Sequence, residues 1–101
     1  MAVKFELVET DPQTGCATWD IRLDTDGVYN IVGTIEKHTC WCGDGYRADS
    51  YRVTVELEAG DDSTDECFSV ANAWSKGKGM TARQALAACK AFARECLKDR
   101  L

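Results

Sequence analysis

The side chains with the most chemical potential in this chain are His38, Cys40, Cys42 and Cys67. Residues two apart in a strand face the same way, so the first three project together if a strand runs that far. Cys67 has the opposite parity to Phe68 and Val70, which sends it to the same outer side. One imidazole and three thiolates are a tetrahedral donor set for a zinc ion. The spacing argues against that use. Structural zinc sites space their cysteines as Cys-x2-Cys or wider because the backbone must wrap the ion, and here Cys-x-Cys stands beside a single histidine. Ordinary reduced thiols are the simpler expectation, and a disulfide from Cys40 or Cys42 to Cys67 or Cys16 is the third alternative. Cys89 and Cys96 lie seven residues apart, about 10 Å along a helix axis at about 1.5 Å per residue, too far to bridge each other. They are expected to pack.

Catalysis has little to work with. His38 is the one histidine, and a nucleophile at Cys40 or Cys42 would lie beside it in the same strand, whereas catalytic groups are usually brought together from separate elements. No pair of carboxylates stands in an apolar frame that would raise one pKa. The chain is expected not to be an enzyme and to need no cofactor; zinc is the ion its cysteines suggest, and the spacing of Asp61, Asp62, Asp65 and Glu66 is not that of an EF-hand calcium loop.

The charges are segregated. The formal net charge is −5, but residues 1–75 hold fifteen acidic and five basic side chains, and residues 76–101 hold seven basic and two acidic ones. An acidic partner-binding surface is expected from Asp44, Glu56, Glu58, Asp61, Asp62, Asp65 and Glu66. Such a surface repels nucleic acid and attracts a basic protein or nucleoprotein. The basic end offers Lys76, Lys78, Arg83 and Lys90 as phosphate contacts at the mouth of a helix.

The elements that must position these groups are legible from periodicity. Ala82, Ala85, Leu86, Cys89, Phe92, Ala93, Cys96 and Leu97 recur at helical spacing, with Thr81 placed to cap the helix and Gln84 to complete a capping box. Val3, Phe5 and Leu7 alternate with polar residues, as do Trp19, Ile21 and Leu23. Tyr29, Ile31, Gly33 and Ile35 are expected on one side of a third strand, with Asp26-Gly27 making the hairpin before it. Val8 and Val32 fall on the polar side, so they either cover a partner-binding patch or mark a bulge near Gly33. A three-stranded antiparallel meander is expected from residue 2 to about residue 38, and within residues 37–50 the two glycines around Asp44, Gly43 and Gly45, read as a tight turn or exposed loop. A fourth strand holds Tyr51, Val53, Val55 and Leu57, an acidic loop runs from Gly60 to Glu66, and a fifth strand carries Phe68, Val70 and Trp74. The expected fold is α+β: one domain over residues 1–101, an antiparallel sheet of about five strands with one C-terminal helix on one face. Phe5, Trp19, Ile21, Ile31, Val53, Val55, Phe68 and Val70 are expected to meet Leu86 and Phe92 in the core. No signal-peptide pattern and no membrane-length apolar run is present, so a cytoplasmic protein is expected.

The run Phe68-Ser69-Val70, followed by Gly77-Lys78-Gly79-Met80-Thr81-Ala82-Arg83-Gln84-Ala85-Leu86-Ala87-Ala88, resembles the last strand and helix of double-stranded RNA-binding domains. In that family Gly-x-Gly-x-Ser-Lys-Lys-x-Ala-Lys precedes an alanine-rich helix and its lysines grip phosphates. Thr81 would replace the serine and Arg83 would keep the second lysine's charge, while Ala82 and Leu86 stand where the first and third lysines belong. The resemblance implies a strand–strand–strand–helix layer and, through it, duplex binding. In size and charge the chain also resembles small phage-encoded inhibitors of host defence complexes, including anti-CRISPR proteins. The leading functional expectation is binding to a protein or nucleoprotein with a basic surface. Double-stranded nucleic acid binding and a small zinc module are the alternatives.

Overall fold

The computed structural model of the chain describes residues 2–25, 27–41, 47–56, 62–72, 75–76 and 78–100. Five strands, β1 (Val3–Thr10), β2 (Ala17–Thr25), β3 (Val28–Trp41), β4 (Arg47–Glu56) and β5 (Ser63–Ser69), form one antiparallel meander in the order β1-β2-β3-β4-β5. A single helix, α1 (Ala82–Leu97), packs on one face, chiefly over β4 and β5, and ends in a 3-10 turn, Lys98–Arg100. The α+β expectation is therefore correct in class, strand number and helix position.

The helix forms where its sequence demands. Thr81 caps it: the Gln84 N–H donates to the Thr81 hydroxyl (3.1 Å) and the Thr81 N–H donates to the Gln84 side-chain oxygen (2.9 Å), a complete capping box. Its buried residues are Ala85, Cys89, Ala93 and Leu97, a stripe at four-residue spacing. Three small side chains let the helix approach the sheet closely, and Leu97 fills the far end. Ile21, Leu23, Val32, Ile35, Tyr51, Val53 and Val55 complete the buried core. Phe5, Trp19, Phe68, Val70, Leu86 and Phe92 pack against it partly buried.

Two bulges change the expected strand faces. In the β2–β3 ladder Ile21 pairs with Gly33 but Arg22 pairs with Ile31, so Val32 is the extra residue. Each bulge inverts the alternation that follows it. Val32 is thereby buried, 5% exposed, and Ile31 is turned out, 52% exposed, together with Tyr29. The expectation that Tyr29, Ile31, Gly33 and Ile35 share one side, with Ile31 in the core, is corrected accordingly. A second shift, between Leu7 and Glu9 in the β1–β2 ladder, accounts for Val8.

Strand ends also differ from expectation. β3 extends to Trp41, past the expected end near residue 38, and β4 begins at Arg47, ahead of the expected Tyr51, while the turn expected at Gly43-Asp44-Gly45 lies outside the described residues. Ser63, Thr64, Asp65 and Glu66 belong to β5 and not to an acidic loop. Backbone pairing with β4 suffices to hold an edge strand, and only Thr64 and Phe68 of β5 are half-buried. β5 ends at Ser69, after which Val70 donates its N–H to the Asp49 carbonyl of β4 and makes an isolated bridge to Met80. Asp26, Cys42 to Gly45, Leu57, Glu58, Gly60, Asp61, Trp74 and Gly77 lie outside the described residues.

Candidate binding surfaces

The helix covers one face of the sheet. Among the described residues no element covers the other face. Register places Lys4, Glu6 and Glu9 of β1 on that open face with Asp20, Arg22 and Asp24 of β2. Glu36 of β3, Arg52 and Glu56 of β4 and Asp65 of β5 share it. Seven acidic and three basic side chains therefore look outward from the sheet. On this face Arg22 Nε lies 3.0 Å from Glu6 and its Nη2 3.7 Å from Asp20, His38 Nε2 lies 3.0 Å from Glu36, and Arg52 Nε lies 3.7 Å from Asp65. A negative excess remains. Among the acids stand exposed Val8, Tyr29 and Ile31, with Lys4 Nζ 5.9 Å from the centroid of the Tyr29 ring.

Of the acidic residues expected to meet a partner, Glu56, Asp62, Asp65 and Glu66 are all exposed and cluster where β4 ends and β5 begins. Asp44, Glu58 and Asp61 lie outside the described residues. Glu6, Glu9, Asp20, Asp24 and Glu36 were missed as members of the same surface. For Glu6, Asp20, Asp24 and Glu36 alternation with apolar residues was the available signal, because in a one-faced sheet every polar alternate shares one side, whereas Glu9 has the opposite parity to Glu6 and reaches that face only through the bulge at Val8.

The phosphate-contact set is only partly assembled. Lys76, Lys78 and Arg83 are exposed near the helix start, Lys76 in a left-handed conformation at φ 55°. Lys90 stands further along the helix with its Nζ 5.6 Å from the centroid of Phe5, beside Arg94 at 5.1 Å. Both cations thus lie against β1, away from the helix mouth. The capping box also engages two of the groups that an anion would need there.

The thiol and imidazole set does not converge. His38 and Cys40 are exposed on β3, with His38 Nε2 3.0 Å from Glu36. Cys67 pairs with Arg52, which pairs with Glu36, so two strand spacings of about 4.8 Å separate it from β3. Among the described residues no three His, Cys, Asp or Glu side chains are grouped to hold a metal ion, and Cys42 lies outside them. Cys16, Cys40, Cys67, Cys89 and Cys96 are unbridged thiols. Burial pushes the Cys89 thiol up to about 11, consistent with its role in packing.

A cleft of about 410 Å³ opens at the corner of the helix-side face that α1 leaves bare, between the β1–β2 turn and the sheet. Leu7, Trp19 and Tyr51 form its apolar wall, with Lys37 and Cys16 at its edge. The Thr14 hydroxyl and the Thr39 backbone hold the Cys16 thiol below its ordinary value. Beside it the far ends of β3 and β4 are tied to each other. The Thr39 hydroxyl and Arg47 Nε both donate to Asp49 Oδ1 at 2.9 Å.

Burial alone would raise the Asp49 carboxyl, but the Arg47 and Thr39 hydrogen bonds outweigh it and hold the group below the usual carboxylate range. A depressed folded pKa stabilises the fold above the unfolded value and loses that effect as pH falls through the folded one. Asp49→Asn is expected to cost about 1.5 kcal/mol near neutrality, the low end for hydrogen bonds to a charged group. The difference from wild type should shrink below about pH 4, the ordinary aspartate range. Urea midpoints of both proteins across this range check it; a difference independent of pH would show that the carboxylate charge is not the cause.

No protein-family model, curated protein or solved structure matches the chain. No helix among the described residues is long and apolar enough to cross a membrane.

Proposed function

We propose that the protein acts by binding, through the open face of its sheet, a protein or nucleoprotein that presents a basic surface. The carrying observation is the seven-to-three excess of acidic over basic side chains on an uncovered five-stranded face. An uncovered sheet face of this kind suits a broad macromolecular contact. Glu36 and Asp65 supply charge, and Ile31 and Tyr29 supply apolar area for the aliphatic stems of lysine and arginine. Electrostatic complementarity of this type speeds encounter and selects the partner by sign.

A basic surface that accepts an acidic sheet is also one that accepts phosphates. Occupying it would exclude nucleic acid, which is the action expected of the inhibitor class that the chain resembles in size and charge. The helix end is the other half of a polarised chain: residues 76–101 hold seven basic and two acidic side chains, and the helix itself packs on the face opposite the acidic one.

The test is affinity capture from native host extract with three baits: wild type, a face variant (Glu36→Lys with Asp65→Lys), and a helix-mouth variant (Lys76→Glu with Lys78→Glu). A partner held by wild type and the helix-mouth variant, lost by the face variant and displaced by excess duplex nucleic acid supports the reading. Equal recovery on wild type and the face variant removes it. Loss on the helix-mouth variant alone would favour duplex binding through Lys76 and Lys78.

A further inference from the structure

We infer that the outer edge of β5 is a docking edge for an extended basic segment of the partner, which would add to the sheet as a sixth strand. This rests on the proposal that the acidic surface meets a basic partner and names the mode of contact. The backbone makes the first argument. The Val70 N–H donates to the Asp49 carbonyl (3.0 Å) on the β4 side, and the Ala71 N–H donates the opposite way, to the Met80 carbonyl (2.7 Å). In an antiparallel ladder these directions alternate. Thr64, Glu66 and Phe68 therefore bond to β4, while Ser63, Asp65, Cys67 and Ser69 direct their N–H and C=O groups outward. Among the described residues no strand pairs with that side. Met80 covers the edge from the Ser69 carbonyl onward through its bridge to Val70, which leaves residues 63–68, about 20 Å of strand at about 3.3 Å per residue.

The two edges of the sheet are not equivalent. β1 carries a bulge at Val8 and an outward Lys4, both devices that discourage strand addition. β5 has an unbroken register against β4 and contains neither proline nor a basic residue. Its acids set the sign of what can pair. Asp65 projects to the open face and Glu66 to the helix side, with Asp62 just before the strand, and all three are exposed. A second copy of β5 would bring carboxylates against carboxylates, and directly opposed like charges destabilise a ladder. A segment with adjacent lysine and arginine would place one cation on each face. Arg52 already offsets Asp65 in part at 3.7 Å, so Glu66 and Asp62 carry more of the selectivity. Main-chain bonds would hold the segment while charge chooses it.

The probe is a synthetic β-prone valine–threonine peptide with a central Lys-Arg pair, compared with its Glu-Asp counterpart, titrated into the reduced, isotope-labelled full chain. Expected are binding of the basic peptide alone and slowed hydrogen exchange at the amides of Asp65, Cys67 and Ser69. Cys67→Pro removes an outward N–H without touching the β4 ladder and should weaken binding about tenfold or more, a loss of about 1.4 kcal/mol. If that variant fails to fold, Glu66→Lys keeps the backbone intact and should weaken the preference for the basic peptide. No binding, binding without protection of those amides, or an unchanged preference in Glu66→Lys overturns the inference. The capture experiment separates it from the broader proposal. A partner retained by Cys67→Pro but lost by the face variant leaves the open face standing and removes the edge.

Discussion

Leu97→Ala is expected to destabilise the protein by about 2–5 kcal/mol, the range for deleting a fully buried leucine and leaving a cavity. Leu97 is completely buried at the last position of α1 and is the one large side chain in its buried stripe. Ala85, Cys89 and Ala93 bring the helix close but fill little volume, so the sheet cannot collapse onto them to close the gap. A domain of this size has roughly 5–15 kcal/mol in all, so the upper end of that loss approaches unfolding. Leu86→Ala, at a partly buried position of the same helix, should cost clearly less. Urea denaturation of the two variants beside wild type checks the order. Equal losses would show that Leu97 does not close the core.

Gly33→Ala is the second large effect, and it acts by insertion. Gly33 sits beside the Val32 bulge on the helix-side face, between Ile21 and Val55. A Cβ there would stand 2.2 Å from the Thr54 carbonyl oxygen and 3.1 Å from Val55 Cα. Both neighbours are backbone atoms of a central strand, so relief requires moving β4. Overpacking of this kind typically costs about 1–3 kcal/mol and here should reach or pass the top of that range. At about 4–8 °C per kcal/mol for domains of this size, thermal unfolding resolves it easily. Gly27 provides the contrast. It has φ +81° but nothing within 4 Å of an added Cβ, so Gly27→Asn, a residue that tolerates that conformation, should leave the midpoint nearly unchanged. A similar midpoint for Gly33→Ala and wild type would mean that the two strands do not approach so closely.

Gly33 also shows how much of this molecule its sequence discloses. Alternation placed β1, β2 and β4, and the capped helix was legible to its first residue because Thr81 and Gln84 form a local, sequence-encoded device. Val32 and Val8 were visible as exceptions to alternation, but whether such an exception is a sticky patch or a bulge depends on the register of the neighbouring strand. The bulge explanation is correct for Val32, and its consequence, the exposure of Ile31, could not be read without that register. β5 was misjudged for a different reason. Ser63 to Glu66 are polar and acidic, and nothing local marks them as a strand; pairing with β4 alone makes them one.

The candidate surfaces follow the same division. That acids dominate the first three quarters of the chain is plain from composition. That they converge on one uncovered face is a property of the meander, which aligns every polar alternate of five strands. The separation of Cys67 from His38 and Cys40 likewise comes from the register of β3, β4 and β5, since parity placed all three on one side and said nothing of distance. The cleft beside Cys16 had no sequence signal at all, because Leu7, Lys37 and Tyr51 come from three different strands and meet only where the helix stops short.

The most direct measurement of the central claim is the affinity of the captured partner for wild type and for the Glu36→Lys, Asp65→Lys face variant, titrated at low and moderate salt. Contact through an exposed acidic face predicts affinity that falls steeply with added salt, as screening shortens the reach of surface charges, and a face variant that binds weakly and has lost most of that salt dependence. Affinity indifferent to salt, or equal in the two proteins, would contradict an interface made by the open face of the sheet.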